Sequence, residues 1–361
     1  MPTILFIKQR IRRGPAIESS IEDSIEKAFS DIEGVRLEVY PLGENIRRAE
    51  DRLRGAPRDT LAKARLDQTE RCIAHIRSHG FTDVFLLNGY LASFFNPNFF
   101  PALRASARRI AAWQLDDPYY VDMTLPFLPF IDAVFTVDSV TIPLYQRYEK
   151  VAEWLPLACD PSMQKTLPDL DEKYRTDVCF IGVPFKGSQR VKTIDGIADE
   201  IAGLRAAIIG ATENDRWSTE LRNFKKIAHQ VMEKFISPEE AACYYNGAAI
   251  NLNLHKDSYG HYWDRNAHRL IAQSPCERTF GIAACGGFQI IDATRPDLNR
   301  LFQVGEEIAT FADVSDLRSK LRYFLEHEQE RNDMARGMQE LVHAHHTYAQ
   351  RARRIVEVAF S

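Results

Sequence analysis

The 361-residue sequence has no apolar run long enough to span a bilayer, no CxxC pair, no low-complexity tract and no internal repeat of solenoid length. Each absence removes a class. Without a spanning segment, any membrane association is peripheral. The opening MPTILFIKQR is too short in its apolar run, and carries its charges on the wrong side, for a secretory signal, so a cytoplasmic location is expected. The six cysteines, Cys72, Cys159, Cys179, Cys243, Cys276 and Cys285, sit mostly beside apolar residues, as buried reduced thiols do. Charge of one sign is missing too: the net charge is only -4, and the arginines of 47–58 are interleaved with acids. No broad basic face is offered to a phosphate backbone, so nucleic acid is not an expected partner. What remains is a folded chain, 45% hydrophobic and 27% charged, longer than one growing core favours. Two α/β domains follow as the simplest organisation.

Short apolar or β-branched runs mark the first of these. Thr3–Ile7, Val35–Tyr40, Asp83–Leu87, Ile110–Leu115 and Ala133–Val137 read as buried strands, and their alternation with amphipathic segments implies a parallel sheet. The polar stretch 44–79 is interrupted near Gly55 and Pro57, which predicts two helices. A second series, Val178–Ile181, Ala206–Ile209, Ala249–Leu254 and Phe288–Ile291, begins after a stretch rich in proline and aspartate. The expected layout is an N-terminal Rossmann-like domain over 1–158, a linker over 159–175, a C-terminal Rossmann-like domain over 176–345, and a docking helix over 346–361. In the second half, Ser237-Pro238-Glu239-Glu240 and Ser274-Pro275-Cys276-Glu277 each offer a serine N-cap, a proline at the first helical position and a glutamate at the third. Glycines at Gly247 and Gly286-Gly287 suit the ends of those helices. Tyr348, Ala352, Ile355, Val356 and Ala359 fall on one side of the last helix.

Open α/β sheets bind ligands at the carboxyl ends of their strands, so chemistry is sought just after the apolar runs. Four places qualify. After Val178–Ile181 comes Gly182, then a loop with Lys186, Ser188 and Arg190 that could hold a diphosphate; its GxxxxGS string lacks the Walker lysine, and an ordinary turn capped by Ser188 is the plain alternative. The helix opened by Ser274 offers free amides to an anion, with Arg278 and Thr279 adding donors and Glu277 opposing; a well-capped core helix is the alternative there. Asn251 to Asp257, with His261, Asp264, Arg265 and His268, is rich in His and Asp but matches no zinc spacing and has no HExxH, so no metal is expected and a sugar-lining loop is. Finally, Trp113 to Tyr120 runs a strand into Asp116 and Asp117, either of which could act as general base, with Tyr119 or Tyr120 against a sugar; a plain turn is the alternative. The loop Arg12 to Ala16, with Arg13 and Gly14, is a further candidate for acceptor or phosphate contact, or a simple basic loop.

The ordered set Trp113–Pro118 (WQLDDP), Phe135–Asp138 (FTVD), Leu155–Ala158 (LPLA), Thr176–Gly182 (TDVCFIG), Arg278–Gly287 (RTFGIAACGG) and His346-Thr347-Tyr348 with Arg351 resembles the CgeB-like, spore-maturation-protein-B-type glycosyltransferases over nearly the whole chain. The resemblance implies a GT-B enzyme: two Rossmann-like domains with parallel sheets facing across a cleft, and a C-terminal helix docking back toward the N-terminal domain. It further implies a nucleoside diphosphate sugar donor bound mainly in the C-terminal domain, an acceptor (glycan, protein or small molecule) in the N-terminal one, and no metal or other cofactor. One position departs from the pattern. The related sequences commonly carry glutamate directly after the phenylalanine, where it grips the donor ribose, whereas Gly281 follows Phe280 here. The ribose contact then falls to Glu277, or to Asn253 and His255, or the pocket is altered or lost. A catalytically silent sugar-nucleotide or glycan-binding protein and a GT-B-shaped epimerase are the rival functions.

Overall fold

A computed structural model of the chain describes residues 3–9, 20–261 and 263–361. Two compact units form, one from Met1–Pro156, Tyr262–Ala272 and Tyr348–Ser361, the other from Leu157–His261 and Gln273–Thr347. Each is built on a six-stranded parallel sheet.

The first sheet contains β1 (Thr3–Ile7), β2 (Arg36–Tyr40), β3 (Asp83–Leu87), β4 (Arg109–Gln114), β5 (Ala133–Thr136) and β6 (Val151–Trp154), in the order β2-β1-β3-β4-β5-β6. Its central strands have apolar interiors because helices cover both faces: Ile4 to Ile7 and Val84 to Phe85 are shut off from solvent completely. The five strands expected from the sequence are present, and β6 is the addition. Val151-Ala152-Glu153-Trp154 lies at the sheet edge and is only partly buried, so it lacks the apolar run that marks a central strand. The polar stretch 44–79 is two helices, Leu42–Arg52 and Arg58–His79, broken just before Arg58 by Pro57. The C-terminal helix Tyr348–Ala359 belongs to this unit, where it lies against the helix Ser20–Ser30 and against β4 and β5. Tyr348, Arg351, Ala352 and Ile355 are its buried residues, while Val356 and Ala359 are partly covered. The Trp113 ring meets the edge of Tyr348 at 6.4 Å, and Arg351 Nε donates to the Pro156 carbonyl at 2.7 Å.

The second sheet contains β7 (Thr176–Ile181), β8 (Ala206–Ile209), β9 (Val231–Met232), β10 (Ala248–Asn253), β11 (Gln289–Asp292) and β12 (Ala309–Phe311), in the order β12-β11-β10-β7-β8-β9. Two strands that the sequence did not announce, β9 and β12, have two and three residues, too few to show a period. The order reverses between β7 and β10, which opens a crevice at their carboxyl ends. Residues 160–174 run along this unit: Gln164 Nε2 donates to Glu277 Oε1, and the Leu167 amide donates to Asn246 Oδ1.

Of the two serine-proline starts, one holds and one does not. Ser237 caps the helix Pro238–Gly247, accepting from the Glu240 amide at 3.1 Å. The helix Glu277–Ala284 starts later than expected, with Cys276 in an extended N-cap conformation and no side-chain cap bond. Ser274 is not the cap because its hydroxyl donates to Asp297 at 2.6 Å, and Glu277 is therefore the first helical residue rather than the third. Gly286, at φ 73, closes that helix in the left-handed region as the sequence suggests. Among the described residues no helix is long and apolar enough to cross a membrane.

The terminal helix gives a direct test. Ile355 is fully buried, so Ile355→Ala is expected to lower the unfolding free energy by about 2–5 kcal/mol through lost burial and the cavity left behind. Arg353→Ala, at an exposed position of the same helix, should stay within about 0.5 kcal/mol of the parent. Equal denaturation midpoints for the two variants would refute the docking.

Candidate functional site

In the first unit both candidate bases follow β4, and the structure separates them. Asp117 is 4% exposed, and three hydroxyls donate to the same carboxylate oxygen: Tyr145 at 2.6 Å, Thr136 at 2.7 Å and Thr141 at 3.3 Å. Burial raises its pKa to about 7 against the pull of those hydroxyls, with the neighbouring Asp138 pushing the same way. An enclosed carboxylate so engaged ties β4 to β5 and has no opening toward a substrate hydroxyl. Asp117 is thus corrected from candidate base to internal anchor. Asp116 is partly exposed and accepts from Asn88 Nδ2 at 2.8 Å and from the Tyr90 hydroxyl at 2.5 Å. Asn88 supplies this donor from a left-handed conformation, φ 46, that asparagine tolerates, while its Oδ1 accepts from the Leu115 amide. Tyr90 in turn stacks on Tyr120, with ring centroids 5.2 Å apart and planes 9° apart. Tyr119 is partly exposed and uses its carbonyl to accept from the Arg265 amide at 2.7 Å. Arg13 and Gly14 lie outside the described residues.

In the second unit the residues after β7, after β10 and at the head of the helix Glu277–Ala284 meet. Arg190 Nε and Arg278 Nη2 both donate to the Leu254 carbonyl, at 2.9 and 2.7 Å. Arg190 also donates to the Val183 carbonyl at 3.2 Å, and its guanidinium lies over the Phe185 ring. The Arg278 Nε is shut from solvent and has no hydrogen-bond partner. Beside these cations, Asp292 accepts at one oxygen from both the amide and Nδ1 of His255, at 2.6 and 3.0 Å, and at the other from the Thr294 amide and hydroxyl. Burial alone would raise the Asp292 pKa, but His255 and Thr294 overcome it and hold the carboxyl far below the usual range. His255 Nε2 accepts from the Cys276 amide at 3.3 Å. A cavity of about 330 Å³ opens here, lined by Arg190, His255, Lys256, Asp292 and Arg295 and by the first turn of the helix Val314–Glu326.

The other candidates fall on both sides of the line between ligand surface and core. Ser188 is buried and caps the helix Gln189–Gly196, accepting from the Val191 amide, so the plain reading of that turn holds for it. Lys186 is exposed in the same loop. Gly182 is where the Phe180 ring closes on the backbone, since a Cβ there would sit 2.7 Å from the ring. Asn253, Thr279 and Phe280 are fully buried. The Asn253 amide donates to Thr279 Oγ1 and Gln289 Oε1, both at 2.9 Å, and the Phe280 ring packs against Phe302 and His346. These three side chains brace the head of the helix from within and present no surface to a donor. Asp264, Arg265 and His268 belong to the first unit, while the His261 ring rests on Phe185. Among the described residues no group of three or more His, Cys, Asp or Glu could hold a metal ion.

Gly281 has a physical explanation. A Cβ at that position would lie 2.6 Å from Gln164 Nε2 and 3.4 Å from Glu277 Oε1. Gln164 Nε2 donates to that same carboxylate oxygen at 2.7 Å, so an amide-carboxylate pair fills the space beside residue 281. Gln164 escaped the sequence reading because it falls in the expected linker. Asn88 and Tyr90 escaped it too, although an Asn-Gly pair directly after a buried strand was an available signal.

The glycosyl transferase-like family model matches residues 190–357. Over those residues the chain is similar to the glycosyl transferase-like family. Over 234 residues, 63% of this chain and 67% of the relative, it is 27% identical to the spore protein CgeB of Bacillus subtilis (strain 168). Sucrose-phosphate synthase from Thermosynechococcus elongatus superposes with a TM-score of 0.66 at 13% identity, covering 99% of this chain and 98% of that one. Anabaena Alr3699/HepE in complex with UDP and glucose gives 0.63 at 13% identity, covering 99% of both chains. The fold is of the GT-B type, the resemblance to the CgeB-like glycosyltransferases is supported by sequence as well, and the enzyme class these likenesses support is a transferase.

The anchor role of Asp117 can be measured. Its folded pKa stands above the unfolded value near 3.8, so the native state binds the extra proton and wild-type stability falls as pH rises from about 4 to about 7. The slope is at most about 1.4 kcal/mol per pH unit for one proton. Asp117→Asn should abolish that slope, so unfolding curves of the variant and wild type should diverge between those pH values. Parallel stability profiles would show that Asp117 does not hold a proton in the folded state.

Proposed function

We propose that the protein transfers a sugar from a nucleoside diphosphate sugar to an acceptor hydroxyl on a glycan, protein or small molecule, in the cytoplasm and without a metal ion. The observation that carries this reading is the convergence of Arg190 and Arg278 on the Leu254 carbonyl at the head of the helix Glu277–Ala284. Developing negative charge on a leaving diphosphate is best stabilised by donors already fixed in place, and here two guanidinium groups and first-turn amides occupy the carboxyl ends of β7 and β10. The unpartnered Arg278 Nε is a donor waiting for an acceptor. Fixed cations of this kind can perform the neutralisation for which other sites use a metal. That Alr3699/HepE was crystallised with UDP and glucose supports a uridine nucleotide as the first donor to try.

For the acceptor we assign Asp116 as general base. It is the partly exposed member of the acidic pair, and Asn88 and Tyr90 fix its orientation while the Tyr90–Tyr120 stack supplies aromatic surface suited to a sugar face. A second reading, a silent nucleotide-sugar binder, is favoured by the Gln164–Glu277 pair beside Gly281, which replaces a single carboxylate by an already satisfied one.

Calorimetric titration with UDP, GDP, ADP, TDP and CMP, without metal and then with magnesium, tests the donor site. One nucleotide should bind without metal. Arg278→Gln should weaken it at least about tenfold, the loss expected when a charged hydrogen bond disappears. Asp116→Asn should leave that affinity within about twofold but lower kcat by about 100-fold or more. Binding of none of the five would overturn the donor site; tight binding with no sugar hydrolysis or transfer would select the silent binder.

A further inference from the structure

The cavity beside Arg190 is lined by three carboxylates, those of Asp257, Asp292 and Asp313, and two of them serve the fold. Asp292 accepts from His255 at one oxygen and from Thr294 at the other. Asp313 caps the helix Val314–Glu326, accepting from the Asp316 amide at 2.9 Å. Asp257 differs from both. Its two oxygens accept from one amide, that of Gln189, at 3.1 and 3.3 Å, and it makes no other hydrogen bond and no ion pair among the described residues. A single N–H shared between two oxygens at those lengths is a weak bond, and Asp257 is only partly buried, so rotation of its side chain releases it. Gln189 opens the helix Gln189–Gly196 that follows β7, and Ser188 already caps that helix through the Val191 amide. Asp257 thus adds a second anionic group to the positive end of a helix that has its cap. The next residue is Arg190, 6% exposed, whose guanidinium is fixed on the Leu254 and Val183 carbonyls at the same strand end.

We propose that Asp257 sets the affinity of the donor site: its carboxylate is an internal anion at the Gln189 amide, and the diphosphate of a nucleotide displaces it on entering the cavity. The inference rests on the donor reading and goes beyond it, because it assigns a residue that opposes the ligand. Two negative groups cannot share one N–H without repulsion, so a phosphate beside Arg190 either turns Asp257 away or binds against its charge. In both cases part of the attraction of Arg190 and the helix end is spent before the ligand gains it. The carboxylate also keeps that end of the cavity neutralised until a stronger anion arrives, and so excludes weakly charged ones.

Removing the charge should therefore tighten binding, a direction opposite to that expected for a residue that contacts the donor. Full-length wild type and Asp257→Asn are titrated calorimetrically with UDP and with inorganic pyrophosphate. The asparagine keeps an acceptor for the Gln189 amide and loses only the negative charge. Both ligands should bind the variant at least about fivefold more tightly than wild type. The gain should shrink in about 0.5 M sodium chloride, because salt screens the repulsion that the variant removes. A gain that persists unchanged at high salt would overturn the electrostatic account. If Asp257→Asn does not fold, Asp257→Ser, which also leaves a neutral acceptor, replaces it. Where wild type binds UDP and the neutral variant binds it equally or more weakly, the proposal fails and the donor site stands. Where neither protein binds UDP or pyrophosphate, the donor site fails and the proposal fails with it.

Discussion

Two guanidinium groups meet at one backbone carbonyl, that of Leu254, and the chemistry of the second unit depends on it. A buried cation needs fixed acceptors, and a carbonyl has two lone pairs to give. Arg190 comes from the helix that follows β7 and Arg278 from the helix that precedes β11, and both reach the end of β10 because β10 lies between those strands in the sheet. The strand order therefore decides which side chains gather, and Asp292, at the end of β11, supplies the countercharge through His255. Fixing two arginines on a carbonyl leaves their charge in the crevice while removing the freedom to turn away, which is the preorganisation that charge stabilisation requires.

The two units share a βα rhythm but place opposite chemistry at their strand ends. In the first, Asp116, Asp117 and Asp138 face hydroxyl and amide donors. Two aspartates show how environment decides the outcome at similar burial. Asp117, among neutral hydroxyls, is pushed up, and Asp292, beside an imidazole, is pushed far down although desolvation opposes it. Hydroxyls soften the desolvation penalty of a carboxylate, whereas a partner able to carry positive charge reverses it.

What could be read from the sequence follows from range. The central strands were legible because burial on both faces demands unbroken apolar runs, as in Asp83–Leu87 and Ala206–Ile209. The edge strand β6 and the very short β9 and β12 carry no such demand. Ser237 and Ser274 looked alike locally, and only Asp297, more than twenty residues on, takes the second hydroxyl away from its helix. The same limit applied to the acidic pair: nothing next to Asp117 shows that Thr136, Thr141 and Tyr145 will enclose it. Arg190 and Arg278 were identifiable as donors, since basic residues after a strand and in a first helical turn are marked by position alone. Their common acceptor was not.

Gly281 shows how an absent side chain becomes a structural statement. Gln164 is fixed from two directions, its Oε1 accepting from the Asp160 amide at 2.9 Å and its Nε2 donating to Glu277 at 2.7 Å. Any Cβ at residue 281 would press on that Nε2 and loosen both bonds. Glu277 is partly buried, its pKa pushed up by desolvation and drawn back by Gln164, so losing the amide would leave a carboxyl group with an unmet need for a donor. Glycine at 281, glutamine at 164 and glutamate at 277 therefore form one unit. A glutamate restored at 281 alone would meet an occupied space, and its carboxylate would face a second one across a short distance. Within this structure Gly281, Gln164 and Glu277 fit together, and a side chain at 281 requires the Gln164 amide to move.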